Sequence, residues 1–85
     1  MYAIIVPPKL GKLLSKIKKR DSETYKEFNN KMERILGDPH NNSHQLHSKY
    51  KGVFETHIKN RLLLYRVNDI DCTVELVDII DHDQL

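Results

Sequence analysis

The spacing of apolar residues changes half-way along this chain, and that change limits what the chain can fold into. From Leu10 to Leu36, apolar residues recur every three or four positions, which is the period of an α-helix. From Val53 onwards they fill short runs that are typical of β-strands. A chain of 85 residues has room for one domain with a thin core. We therefore expect residues 1–85 to form a single α+β domain, with helices packed on a sheet.

The first half predicts a short strand followed by two helices. The apolar run from Tyr2 to Val6 is stopped by Pro7-Pro8 and indicates a buried first strand. Two helical stripes follow, formed by Leu10, Leu13, Leu14 and Ile17 and then by Tyr25, Phe28, Met32, Ile35 and Leu36. Asp21-Ser22 supplies an N-cap for the second helix, and Gly37-Asp38-Pro39 ends it. Because the link between the helices is so short, we expect them to be antiparallel neighbours.

The second half predicts a surface loop from His40 to Tyr50 and then three consecutive antiparallel strands. The strands run from Val53 to Lys59, from Arg61 to Asn68 and from Cys72 to Ile80. The run Leu62-Leu63-Leu64 is apolar on both faces, which favours a central position for its strand, and Cys72 is expected in the core. The predicted architecture is β-α-α-β-β-β, with the helical hairpin on one side of a mainly antiparallel sheet.

Charge is unevenly distributed, although the formal net charge is only +2. Residues 1–36 hold nine Lys or Arg against four Asp or Glu, and residues 37–67 hold five against two. Residues 68–85 hold none against six. Each lysine alone is typical of a solvated helix face, but as a set the basic residues could attract a polyanion.

The sequence also favours a reducing compartment. Cys72 is the only cysteine, so an intramolecular disulfide is excluded. No apolar stretch approaches the roughly 20 residues of a membrane helix, and the first residues lack the basic start of a secretory signal. We expect a cytoplasmic protein without membrane contact.

The strand from Val53 to Lys59 carries the first candidate site residues. Alternation places Val53, Glu55, His57 and Lys59 on one face, which we expect to be wet. Arg61 begins the next strand, so a tight turn at Lys59-Asn60 would hold it close to His57. Arg66 has the opposite alternation from Arg61 and is interpreted as a surface charge.

Histidines from other segments extend this candidate site. His44 and His47 lie in the predicted loop, and His82 follows the last strand. Cutting RNA without a cofactor needs a base for the 2′-hydroxyl, a cation for the phosphate and an acid for the leaving 5′-oxygen. Histidines suit the first and third roles, and arginine suits the second. Each histidine alone is typical of a structural or solvent-exposed residue, but together with Arg61 the chain offers a candidate for all three roles.

A metal site is the alternative interpretation of the histidines. Its ligands would come from His40, His44, His47, Asp81, His82 and Asp83. Their spacing matches no compact zinc signature, and no cysteine pair supports them. Phosphate-binding glycine loops and a serine hydrolase elbow are also absent from the sequence.

Three segments resemble the RelE/ParE toxin superfamily, and within it the YafQ-like branch. They are YKGVFETHI at 50–58, NRLLLYRV at 60–67 and DHDQL at 81–85. The resemblance implies a RelE-like fold and a ribosome-dependent endoribonuclease that cuts messenger RNA, without a metal or other cofactor. It also implies a cognate antitoxin, which would bind the toxin in a hetero-oligomer and block it.

Residue by residue, the resemblance implies that His44, His57 and His82 are catalytic and that Arg61 binds the scissile phosphate. Our hypothesis makes His82 the general acid or base, with His57 and His44 assisting proton transfer or orienting the substrate. The set of lysines proposed to hold flanking phosphates is Lys49, Lys51 and Lys59. The YafQ-like pattern has a carboxylate near the hairpin, where this chain has Asn60 or Arg61.

Two other functions fit the same fold. One is a ParE-like inhibitor that binds DNA gyrase and performs no chemistry, for which clustered histidines would be unnecessary. The other is an inactive module that only binds an antitoxin.

Overall fold

The computed structural model describes residues 1–41 and 52–81, and the backbone of residues 44–45. The elements in chain order are β1 (Ala3–Ile5), α1 (Pro8–Arg20), α2 (Ser22–Gly37), β2 (His44–Gln45), β3 (Val53–Ile58), β4 (Arg61–Asn68) and β5 (Thr73–Asp81). The predicted β-α-α-β-β-β architecture is confirmed. One strand, β2, was not predicted, because its two residues lie inside the polar stretch interpreted as a loop.

The two helices form where the sequence predicts them. Pro8 occupies the first turn of α1, where its missing N–H costs no hydrogen bond. Asp21 separates the helices and caps α2, since its side chain accepts a hydrogen bond from the Thr24 backbone N–H. A one-residue link turns the chain back on itself, so the start of α2 lies beside the end of α1.

The sheet has the strand order β1-β5-β4-β3-β2. Strands β2 to β5 pair antiparallel, and β1 pairs parallel with β5 at the opposite edge. The predicted central position of the Leu62-Leu63-Leu64 strand is confirmed, because β4 lies between β3 and β5. A register shift between Leu64 and Tyr65 interrupts the pairing of β4 with β5.

Apolar side chains are buried on both faces of the sheet. The main core lies between the helices and the sheet and includes Ile35, Leu63 and Tyr65, each with no exposed surface. A second, smaller cluster on the other face contains Val53, Leu62 and Leu64, packed against Val77 and Ile80. The expectation of a wet face for Val53 was therefore wrong, although His57 on the same alternation is exposed.

Two further expectations about burial were wrong. The first strand is an edge strand rather than a buried one, and Ile4 and Ile5 are 39% and 45% exposed. Cys72 lies outside the core, because it is an exposed residue of the β4–β5 turn with a φ angle of 54°. Within the described ranges, no helix is long and apolar enough to cross a membrane.

Candidate active site

A concavity of about 840 Å³ opens at the end of the sheet where β3 turns into β4. Its lining consists of Asp21, Glu23, Thr24, His57, Lys59, Asn60, Arg61 and Asp81. The two-residue turn makes this possible, because Ile58 pairs directly with Arg61 and Lys59 takes a left-handed conformation at φ 51°. His57 and Arg61 therefore share one concavity, as the sequence predicted.

Asp21 fixes the helical side of the concavity. Its carboxylate accepts hydrogen bonds from the Thr24 N–H at 3.2 Å and from the Thr24 hydroxyl at 2.6 Å. These bonds favour the ionised form and lower the pKa of Asp21, with smaller contributions from the nearby charges of Lys59 and Arg61. Asp21 is consequently a structural anion that caps the start of α2.

Lys59 lies in the concavity, but its ammonium group is already paired. It donates a hydrogen bond to Glu23 at 2.5 Å, which raises the pKa of Lys59 and lowers that of Glu23. Both side chains are exposed, so this ion pair contributes little to stability and can exchange partners.

Arg61 is the arginine that lines the concavity. It is half-buried, and part of its side chain lines a small apolar space with Leu14, Ile17 and Phe28. Among residues 1–41 and 52–81, no carboxylate forms an ion pair with its guanidinium group. A planar guanidinium group held this way can bind two oxygens of one phosphate.

The strand register relates the remaining predicted residues to this site. The Cα atom of His44 pairs with that of Glu55, two residues before His57 on β3. Arg61 pairs with Asp81, the residue before His82. The side chain of His44 and the whole of Lys49, Lys51 and His82 lie outside the described residues, so their roles stay predictions.

Three acidic residues of the concavity were missed as site residues. Asp21 and Glu23 come from the start of α2, and their only sequence signal was the N-cap pattern. The sequence suggested Asp81 only as a candidate ligand of the alternative metal site, yet Asp81 pairs with Arg61 across the sheet. A strand register, rather than a residue pattern, brings it here.

A second polar cluster lies at the opposite end of β4. Asp69 accepts a hydrogen bond from the Tyr2 hydroxyl at 2.6 Å, and the Nε2 atom of His40 lies 2.8 Å from the same oxygen. Hydrogen bonds from Tyr2 and His40 lower the pKa of Asp69, and the bond to Asp69 raises the pKa of Tyr2 to about 12. This Tyr2–His40–Asp69 cluster joins three segments that are distant in the sequence.

The position of His40 argues against the alternative metal site. His40 contacts Asp69, just beyond the last residue of β4, whereas Asp81 pairs with Arg61, the first residue of β4. Seven strand steps separate these ends, or about 23 Å. His40 and Asp81 therefore cannot bind one ion, and the described residues contain no group of three or more metal-ligating side chains.

Comparison with known proteins decides the family. The family described as the ParE toxin of type II toxin-antitoxin systems, parDE, matches residues 8–85. The chain belongs to the ParE toxin family. This ParE-family toxin is also 36% identical over 88 residues to a Methanocaldococcus jannaschii protein that carries the name toxin RelE4, covering all of this chain and 90% of that protein. The predicted RelE/ParE superfamily is thereby confirmed, and the protein is a toxin of a type II toxin-antitoxin system.

Solved structures of this superfamily share the fold. The YoeB/ParE toxin from Agrobacterium tumefaciens matches with a TM-score of 0.83 at 13% identity, covering 94% of the ParE-family toxin and 98% of that chain. The archaeal RelE-RelB complex from Pyrococcus horikoshii matches with a TM-score of 0.79 at 13% identity. The match covers 99% of the ParE-family toxin and 98% of the chain in that complex. These matches confirm the RelE-like α+β fold.

The narrower YafQ-like resemblance stays a prediction. YafQ from E. coli has the same fold, with a TM-score of 0.73 at 14% identity over 99% of the ParE-family toxin and 97% of that chain. At this identity the match concerns the fold alone, and one fold can carry different activities.

Proposed function

We propose that this ParE-family toxin is a ribosome-dependent endoribonuclease that cuts translated messenger RNA without a metal or other cofactor. One observation carries the proposal, namely that Arg61, without an ion pair in the described part of the chain, shares a concavity with His57. Phosphodiester transfer requires a cation for the phosphate and groups for two proton transfers, and Arg61 and His57 supply the cation and one of those groups.

The proposed reaction is attack by the 2′-hydroxyl of the message on its own phosphate. One imidazole takes the 2′-hydroxyl proton, the new bond forms between the 2′-oxygen and phosphorus, and Arg61 stabilises the charge on the phosphate oxygens. A protonated imidazole gives its proton to the 5′-oxygen as the old bond breaks. The products are a 2′,3′-cyclic phosphate and a 5′-hydroxyl end.

We assign the proton transfers to three histidines from different segments. His82 is the proposed general acid or base, with His57 and His44 assisting proton transfer or orienting the substrate. The register favours this assignment, because the residue before His82 pairs with Arg61 and His44 pairs two residues before His57.

Three lysines are proposed to hold phosphates on either side of the cut, namely Lys49, Lys51 and Lys59. Lys59 would exchange Glu23 for a phosphate. This exchange costs little free energy, because the ion pair between Lys59 and Glu23 is exposed. Asp21 and Glu23 then limit how much negative charge the concavity accepts, so binding would need the charge of the added lysines.

We also propose a cognate antitoxin as a partner, in a toxin-antitoxin hetero-oligomer located in the cytoplasm. The support comes from related proteins, since Pyrococcus horikoshii RelE was solved with RelB and Staphylococcus aureus YoeB as a heterotetramer with YefM. An antitoxin that covers the Arg61 concavity would block the proposed activity.

The test is to add the purified chain to ribosomes programmed with a defined message and to map new RNA ends. We expect new 5′-hydroxyl ends, which a 2′-deoxy nucleotide at the cut should abolish. His57→Gln should lower the cleavage rate about 100-fold or more. His40→Gln is the matched control, because His40 belongs to the Tyr2–His40–Asp69 cluster at the other end of β4. Equal rates for both variants would remove His57 from the mechanism.

A ParE-like gyrase inhibitor is the second candidate function, and the matching family description favours it. The purified chain would then block supercoiling by DNA gyrase and leave the programmed message intact. An inactive antitoxin-binding module would do neither and would still bind its antitoxin.

A further inference from the structure

The first helix carries a one-sided row of lysines that the proposed chemistry does not use. Six of the 13 residues of α1 are basic and none is acidic. Four of them, which we name the lysine stripe, recur every three or four residues and so lie on one helix face: Lys9, Lys12, Lys16 and Lys19. All four are exposed.

The lysine stripe is separate from the contacts that hold the helices together. Lys18 points to the other side of α1, with its ammonium group 5.6 Å from the centre of the Tyr25 ring on α2. By contrast, Lys9, Lys12 and Lys16 line a groove of about 530 Å³ between α1 and β5. The stripe therefore borders an open groove rather than the helical interface.

The stripe lysines are not paired with carboxylates in the described part of the chain. None of the four forms an ion pair there. Asp78 lines the groove, but one of its carboxylate oxygens accepts a hydrogen bond from the Ile79 N–H at 2.8 Å. Like charges at these spacings destabilise a helix, so the row is a cost to the folded chain that a bound polyanion would offset.

The stripe leads to the Arg61 concavity. The helix ends at Arg20, and the next residue, Asp21, lines the concavity. Arg61 itself shares a small apolar space with Ile79 of β5, which also lines the groove beside the stripe. From Lys9 to Lys19 the stripe extends about 15 Å along the helix axis, which is long enough for several charges of one strand.

We propose that the lysine stripe binds the phosphodiester backbone of the RNA strand that is cut, in the part of the strand that leaves the Arg61 concavity along α1. This inference rests on the proposed function and extends it from the scissile phosphate to its flank. Lysines bind phosphates as point charges without reading bases, so the contact adds affinity and no sequence preference.

The test measures the binding of single-stranded RNA oligonucleotides made uncleavable by 2′-O-methyl groups, over a series of salt concentrations. A short oligonucleotide fills only the concavity, and a longer one extends past it. The variant Lys9→Gln/Lys12→Gln/Lys16→Gln removes three stripe charges. The matched control Lys18→Gln/Lys26→Gln/Lys31→Gln removes three charges outside the stripe, one from α1 and two from α2.

We expect the stripe variant to lower the magnitude of the salt slope by about 2 for the long oligonucleotide, from three lost contacts on a single strand. Its affinity should fall at least tenfold at physiological salt, and its binding of the short oligonucleotide should stay unchanged. The control variant should bind both as the parent does. Because glutamine is a good helix former, both variants should keep the parent's circular dichroism.

Equal slopes for the two variants would overturn the inference. It would also be wrong if the stripe variant lost binding only to ribosomes, since the stripe would then contact ribosomal RNA instead of the cut strand. A parent chain that cuts no message but keeps the stripe-dependent slope would refute the proposed function and leave the binding surface standing. The two failures are therefore distinguishable.

Discussion

The two ends of β4 both carry polar clusters, but they use their charges differently. At the Asn68 end, the Asp69 carboxylate contacts Tyr2 and His40. At the Arg61 end, Thr24 binds Asp21 and Lys59 binds Glu23, while Arg61 has no ion pair among the described residues. The first cluster holds three segments together, and the second leaves a guanidinium group for a ligand.

This difference teaches how a concavity with several acids can leave its arginine without an ion pair among the described residues. Asp21 is committed to capping α2, and Glu23 is committed to Lys59. Hydrogen bonds that satisfy a carboxylate reduce its demand for another cation. Asp21 and Glu23 therefore shape the concavity without forming an ion pair with Arg61.

The largest effect is expected from replacing Arg61, because this removes the guanidinium group that distinguishes the two ends of β4. We expect Arg61→Gln to lower the cleavage rate on programmed ribosomes about 100-fold to 1,000-fold, the usual loss when one donor to transition-state charge is removed. Arg61→Lys should recover only part of the rate, because lysine lacks the planar fork. The rate of appearance of new RNA ends measures both.

Arg66→Gln is the control for this prediction, because Arg66 is an exposed arginine on the same strand. It should cut at nearly the parent rate. If Arg66→Gln were as slow as Arg61→Gln, general positive charge and not the concavity would explain the loss.

The turns at the two ends of β4 provide a smaller test. Lys59 and Cys72 both have left-handed backbones, at φ 51° and 54°, which side chains disfavour. Cys72→Gly should raise the free energy of unfolding by about 0.5 to 1 kcal/mol, after the entropic cost of glycine. Lys59→Gly should gain less, because it also loses the ion pair with Glu23. Urea unfolding measures the free energy of unfolding of both variants. A larger increase for Lys59→Gly than for Cys72→Gly would show that the ion pair contributes nothing.

The smallest expected effect is a change in stability at high pH. Because the pKa of Tyr2 is raised from 10.0 to about 12, the folded state keeps the phenol protonated where the unfolded state loses the proton. This contribution is complete below pH 10 and is lost as the pH rises towards 12. The free energy of unfolding, measured with urea at several pH values, should therefore decline less steeply with rising pH for Tyr2→Phe than for the parent.

Tyr25→Phe is the matched control, since the Tyr25 hydroxyl forms no hydrogen bond within residues 1–41 and 52–81. It should follow the parent's decline. A Tyr2→Phe variant that also followed it would mean that the bond to Asp69 does not persist in solution.

The sequence could predict those elements whose signals are local. Helical spacing, the Asp21 cap and the two-residue turn at Lys59-Asn60 each depend on neighbouring residues, and all were correct. The expectation that the first strand is buried was wrong, because an apolar run does not reveal whether its strand lies at the edge of the sheet. The expectation that Cys72 is buried was wrong for a related reason. The last strand begins one residue later, at Thr73, which leaves Cys72 in the exposed turn.

The site was predictable to the same extent. His57 and Arg61 flank one turn, so their shared concavity followed from the hairpin. Asp21 reaches it from α2 and Asp81 from β5, through packing and register that no local pattern contains. His44, His82, Lys49 and Lys51 stay predictions, which the cleavage assay on their variants would test.

The parallel pairing of β1 with β5 has a consequence for the timing of synthesis. Among the described strands, β1 is made first, yet its partner Thr73–Asp81 is made last, after both helices and the rest of the sheet. Arg61 likewise waits for Asp81. A nascent chain therefore cannot complete the lining of the Arg61 concavity until β5 has left the exit tunnel.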